Sequence, residues 1–163
     1  MGELELIKST YLNSELADEL RDSEIDVLAK LSRVRDYKAG EVILQPGDGH
    51  LKNTLMMLAS GEVEAAAVVN GENMTLHLLQ PGDLAGIITF VGGQSEQISA
   101  TIVAKSDSKV VLLERGSFES LLSGHPQIMY YVMRGVIRHM HGIVRRMNRQ
   151  SQEMTNYMYQ GHY

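Results

Sequence analysis

At 163 residues and 18.1 kDa the chain has the size of one domain plus one appendage, enough to bury a core without disulfide or metal staples. Hydrophobic residues at 44% and charged residues at 21% match a globular protein and exclude wholesale disorder or low complexity, while zero cysteines exclude disulfides, thiolate nucleophiles, iron–sulfur clusters and cysteine-built zinc sites. The net charge of -5 is unevenly spread: residues 1–30 hold eight acids against three bases, whereas residues 120–152 hold Arg134, Arg138, Arg145, Arg146 and Arg149 and no acid. The longest apolar run, Leu84 to Val91, is far short of the roughly 20 residues that cross a bilayer. An acidic start and Leu6 exclude a basic signal peptide and a myristoylation signal, so a cytoplasmic protein without membrane contact is expected.

The first segment, residues 1–32, reads as short helices, with Ser23 and Asp26 as an N-cap and its acidic partner before Ile25, Val27, Leu28 and Leu31. From Glu41 the period changes. Short β-like runs (EVIL, TLMMLA, EVEAAAVV, ISATIVA, KVVLLE) alternate with turn chemistry at Pro46-Gly47-Asp48-Gly49, Gly61, Pro81-Gly82-Asp83 and Gly92-Gly93. Asn70-Gly71 supplies the two positive φ values of a type I′ turn and predicts a hairpin between Glu62–Val69 and Met74–Leu79. Seven or so short strands at this spacing predict a mainly β fold: an antiparallel, cupin-like jelly roll over residues 33–116, with helices on either side.

The segment 117–163 returns to helical spacing. Ser117 to Leu122 predicts a short helix, and Pro126 opens a long one reaching about Asn156. Apolar residues recur along it at Met129, Met133, Val136, Met140, Ile143 and Met147, in steps of four and three, which is a heptad seam suited to a partner helix. The simplest partner is the same helix of a second copy, giving a coiled-coil homodimer, with Val132, Ile137 and Val144 left for the barrel.

The order of elements and several loops resemble the cyclic-nucleotide-binding domain family, in particular the sensor half of catabolite activator protein-like regulators. The resemblance runs from about Leu28 to Arg149 and rests on Ala39-Gly40-Glu41-Val42-Ile43, Gly47-Asp48, Ser60-Gly61-Glu62-Val63, Pro81-Gly82-Asp83, Ser99-Ala100-Thr101 before Val103-Ala104, and the closing helices. It implies a phosphate-binding cassette at Gly86, Ile87, Ile88, Thr89, Ile98, Ser99, Ala100 and Thr101. The family's Phe-Gly-Glu run falls on Ala85-Gly86-Ile87, so the ribose-binding acid is replaced by isoleucine. The family's arginine before Ser-Ala-Thr falls on Ile98, and the purine-contacting pair falls near Ile143-Val144. Between Gly86 and Ser99 the only charge is Glu96, and the arginine nearest Ile98 is Arg115. Losing one partner of a buried charge pair costs about 2 to 5 kcal/mol, or roughly tens to thousands of fold in affinity. Recognition of cAMP and cGMP is therefore expected to be lost.

Other chemistry is not expected. His139 and His141 are the one His-x-His pair, but two residues apart on a helix they point about 200° from each other and cannot chelate one ion. The ten methionines suit soft packing better than haem ligation, so no metal and no cofactor is assigned. Motifs of hydrolases, phosphate loops, zinc proteases and dinucleotide folds are absent, so no catalytic residue is named. The catabolite-activator relatives read DNA through a helix-turn-helix module after this helix. Thirteen residues follow Gln150, too few for it, so nucleic acid is not an expected partner. The sequence points to a dimeric, non-enzymatic regulatory module that holds a protein partner or senses an unidentified small ligand. Two alternatives stay open: a cyclic-nucleotide sensor using backbone amides with Ser99 and Thr101, and the effector half of a truncated transcription regulator.

Overall fold

The structure, a computed structural model, describes residues 1–47, 49, 51–92 and 100–160. Helix α1 (Glu3–Leu12), a 3-10 turn (Glu15–Ala17) and helix α2 (Asp22–Leu31) precede the strands β1 (Arg33–Tyr37), β2 (Val42–Leu44), β3 (Thr54–Ser60), β4 (Val63–Val69), β5 (Glu72–Leu79) and β6 (Leu84–Ala85). Helix α3 (Ile87–Val91) separates these from β7 (Thr101–Ala104) and β8 (Ser108–Glu114). Helix α4 (Arg115–Glu119), a second 3-10 turn (Ser120–Ser123) and helix α5 (Pro126–Gln160) complete the described chain. Among the described residues every strand pairing is antiparallel, in two four-stranded sheets ordered β1-β8-β3-β6 and β2-β7-β4-β5, the expected jelly roll.

Alternation along the two central strands of the first sheet explains why they read as unbroken apolar runs. Leu55 and Met57 of β3, with Val111 and Leu113 of β8, face the helices. Met56 and Leu58, with Val110 and Leu112, face the second sheet and meet Ile43, Val63, Leu79 and Ala104. A strand covered on both faces has no polar side to present. The helical layer over the first sheet combines Tyr11, Leu16 and Leu28 from the N-terminal segment with Ile128, Val132 and Val136 of α5, so residues from both ends of the chain share one core.

Local chemistry sets the joints. Asn70 and Gly71 take φ of 54° and 82° and close the β4–β5 hairpin, whose last pair is Val69 with Glu72. The N-cap of α2 lies earlier than Ser23. Arg21 is the cap, and Glu24 accepts hydrogen bonds from its backbone N–H (2.9 Å) and its guanidinium (3.0 Å), which the sequence pattern at Ser23 and Asp26 obscured. Those bonds hold the Glu24 carboxyl below the usual carboxylate range. Helix α5 has 35 residues, about 52 Å at 1.5 Å per residue, and overhangs the barrel.

The acidic head and the basic helix meet within the chain. Glu19 accepts from Arg134 Nε at 2.8 Å and from Arg138 at 2.9 Å, and Asp18 lies 3.5 Å from Arg138. Gly135 sits between these arginines, and a Cβ there would meet the carbonyl oxygen of Glu15 at 2.6 Å and Cα of Leu16 at 2.7 Å. The missing side chain lets the 3-10 backbone rest directly on α5.

Candidate functional site

The turn from β6 into α3 carries Gly86, the first of the expected cassette residues. Gly86 adopts a left-handed φ of 76°, and a Cβ would lie 2.6 Å from the carbonyl oxygen of Thr54, so only glycine fits between β6 and β3. Helix α3 then carries Ile87, Ile88 and Thr89. Thr89 is buried and donates its hydroxyl to the Gly86 carbonyl at 3.3 Å.

These residues form one wall of a cavity of about 300 Å3 between the second sheet and α5. Gly86, Ile87, Ile88, Thr89 and Ala100 of the expected set line it; Thr101 opens β7 beside it, half-buried, without lining it. Ile98 and Ser99 lie outside the described residues. Leu44, Leu79, Leu84 and Ile102 make the buried floor, Ala65 and Ala85 complete the walls, and Leu76, Ile88 and Met140 are exposed at the mouth. Among the described lining residues no side chain is charged, and only His77 and Thr89 carry polar atoms.

Sequence reasoning missed His77 because its direction depends on a backbone irregularity. Ala65 pairs with His77 while the next residue, Ala66, pairs with Thr75, so Leu76 is an extra residue on β5. Such a bulge breaks the alternation of side chains. Leu76 and His77, adjacent in sequence, therefore both line the cavity. His77 Nε2 is buried without a hydrogen-bond partner; its nearest carboxylate oxygen, on Asp83, is 3.6 Å away. Burial, reinforced by the charge of Arg146, lowers the His77 pKa despite Asp83, so the imidazole is neutral at pH 7. His139, on the barrel-facing side of α5, is buried and its pKa is also lowered, chiefly by desolvation.

Helix α5 is rotated relative to the expected seam. Its buried stripe is Ile128, Val132, Gly135, Val136 and His139. Of the six seam residues, Val136 is buried in the chain's own core, Met129 and Met133 are half-buried against it, Met140 and Ile143 line the cavity, and Met147 is exposed. Val132 meets the core as expected, but Ile137 and Val144 are exposed instead of contacting the barrel. Gly135 lets the 3-10 turn approach that buried face of the helix closely.

No helix among the described residues is long and apolar enough to cross a membrane, and no group of three or more His, Asp or Glu side chains among them could hold a metal ion.

Residues 34–125 match the model of the cyclic nucleotide-binding domain family, more than half of the chain. The cyclic AMP receptor protein of Thermus thermophilus is 30% identical over 118 residues, covering 72% of this chain and 53% of that protein. The neuropathy target esterase sws of Drosophila yakuba is 22% identical over 152 residues, covering 88% of this chain but 10% of that protein. The chain thus spans about half of the bacterial relative and about a tenth of the fly one. Among solved structures, a cyclic nucleotide-binding domain from Methylobacillus flagellatus shares the fold at a TM-score of 0.76 and 19% identity, over 88% of this chain and 79% of that one.

Proposed function

The chain belongs to the cyclic nucleotide-binding domain family, and from that membership we propose that it is a non-enzymatic regulatory module that has lost recognition of cAMP and cGMP. The observation that carries the reading is the uncharged lining of the cavity among the described residues, Ile87 included, the position that the resemblance gives to the ribose acceptor. A phosphodiester anion moved there from water loses its hydration and gains no cation in the lining, a cost that neutral hydrogen-bond donors offset only in part. In this reading the module is a cytoplasmic homodimer that holds a protein partner or senses a different ligand, and cavity occupancy biases how α5 packs on the barrel. Support for dimerisation comes from the far half of α5, where Met147, Met154, Tyr157 and Met158 are exposed on an overhanging helix. Residues 129–143 of the seam contribute mainly to the chain's own packing, so the proposed contact centres on residues beyond Ile143.

Calorimetric titration of the purified chain with cAMP and with cGMP tests the reading. No binding is expected below millimolar concentration. Micromolar affinity for either nucleotide refutes the loss of recognition.

A further inference from the structure

We infer that the cavity between the second sheet and α5 takes an uncharged amphiphile, a compact and largely aliphatic molecule whose single hydroxyl or similar neutral group hydrogen-bonds His77. The inference rests on the preceding reading that the cavity does not serve a cyclic nucleotide, and it names the ligand class that the same site accepts.

Size and polarity point the same way. The cavity of about 300 Å3 stands at the lower end of the roughly 300–1,000 Å3 typical of small-molecule sites. Its floor of leucine and isoleucine is buried beneath an open apolar mouth, so an aliphatic body placed there removes its own apolar surface and the mouth's from water, worth roughly 25 cal/mol per Å2. The mouth is also apolar, because Leu76, Ile88 and Met140 surround it.

One polar anchor is only loosely held. His77 Nε2 is buried, makes no hydrogen bond within 3.5 Å and has the Asp83 carboxylate at 3.6 Å, and the neutral ring can either donate or accept there, depending on its tautomer. Thr89 has already committed its proton to the Gly86 carbonyl, which leaves its oxygen as an acceptor. A hydroxyl can donate to Nε2 or accept from its N–H according to tautomer, and can donate but not accept at the Thr89 oxygen, whereas a pure hydrocarbon makes none of these bonds.

Charge at the same place calls for neither an acid nor an amine. The described lining carries no charge, and the two charges that flank His77 oppose each other: the Asp83 carboxylate oxygen is 3.6 Å from Nε2, and Arg146, a turn beyond Ile143 and outside the lining, is of the other sign. An ammonium headgroup would find Asp83 but would have to shed its water against isoleucine and leucine, a penalty of several kcal/mol for an unpaired ion.

The test uses 1-octanol, octanoate and cAMP as probes of the full chain at pH 7.5, read by calorimetry and by saturation-transfer NMR. Octanol is expected to bind, and octanoate about tenfold or more weaker. His77→Leu should weaken octanol by roughly threefold to tenfold, the value of one hydrogen bond. Ala100→Leu, which fills the cavity, should abolish octanol binding, and thermal melts of both variants establish that they remain folded. Octanoate binding as tightly as octanol overturns the inference, as does octanol binding that neither variant alters. Failure of all three probes overturns it too, yet leaves the loss of nucleotide recognition standing. Binding of cAMP overturns both.

Discussion

Placing a methyl group at Gly135 sets two known effects against each other. Inside a helix, Gly→Ala ordinarily stabilises by about 0.8–1 kcal/mol, because alanine loses less backbone entropy. At Gly135 the new Cβ would stand 2.6 Å from the Glu15 carbonyl oxygen and 2.7 Å from Leu16 Cα, both backbone atoms that cannot rotate away. Overpacking of this kind costs about 1–3 kcal/mol. The helix and the 3-10 turn must separate by several tenths of an ångström, which also lengthens the ion pairs of Arg134 and Arg138 with Glu19. Gly142 is the internal control, since a Cβ there meets nothing within 4 Å on the same helix. Gly142→Ala should therefore stabilise and Gly135→Ala should destabilise, separated by about 1–3 kcal/mol in urea melts, or by several degrees in Tm at about 2–4 °C per kcal/mol for a chain of this length. Melts at two protein concentrations show whether association contributes. Equal stabilisation by the two alanines would refute the close approach.

Acidification isolates the two barrel–helix histidines. Both have pKa values below the ordinary 6.5, so the unfolded chain takes up protons that the folded chain refuses, and stability should fall as pH drops below about 6.5. The groups facing His139 are Glu15, Asp83, Arg146 and His77, and those facing His77 are Asp83 and Arg146. His139→Leu should remove part of that slope, and a slope equal to wild type would contradict the assignment. The carboxylates with depressed values, Glu19, Glu24 and Asp107, act with the same sign in a lower window: their stabilisation is present above the ordinary carboxylate range and is lost as pH falls through it. For the proposed dimer, Met147→Glu and Met154→Glu should shift sedimentation toward monomer with thermal stability at low concentration unchanged; a dimer persisting in the double variant would place the contact elsewhere. Gly71→Ala should cost about 1 kcal/mol from the left-handed φ of 82° alone, because no atom lies within 4 Å of its Cβ, and an unchanged urea midpoint would deny that strain.

Much of the architecture was legible because its signals are local. Asn70-Gly71 specifies a hairpin by its own torsional preference, Pro126 starts a helix with its missing N–H, and the spacing of short apolar runs marks strands. The family resemblance likewise drew attention to Gly86, where a close backbone approach to Thr54 demands glycine and leaves a trace in the sequence. Three features were not legible. The cap at Arg21 uses its neighbour's carboxylate in place of its own side chain. The direction of His77 depends on a bulge that no residue type announces. The facing of α5 was hidden because a heptad seam and a barrel-packing stripe share Val136 and differ by a small rotation, and the face that is buried meets a segment 120 residues earlier, at Glu15 and Leu16. Non-local contacts set directions, whereas torsional preferences set only the kinds of element.

Helix α5 is pinned near one end and stands clear of its own barrel along the other, which gives it the proportions of a mechanical lever. Its fulcrum is the seat at Gly135, fastened by Arg134 and Arg138. The cavity touches the helix at Met140 and Ile143, about 12 Å along from that seat at the farther residue, whereas Gln160 stands about 37 Å along. While the rod stays straight, a nudge of about 1 Å at Ile143 swings the tip by about 3 Å. Geometry alone thus gives a small rearrangement inside the barrel a gain of roughly three at the far end of the molecule.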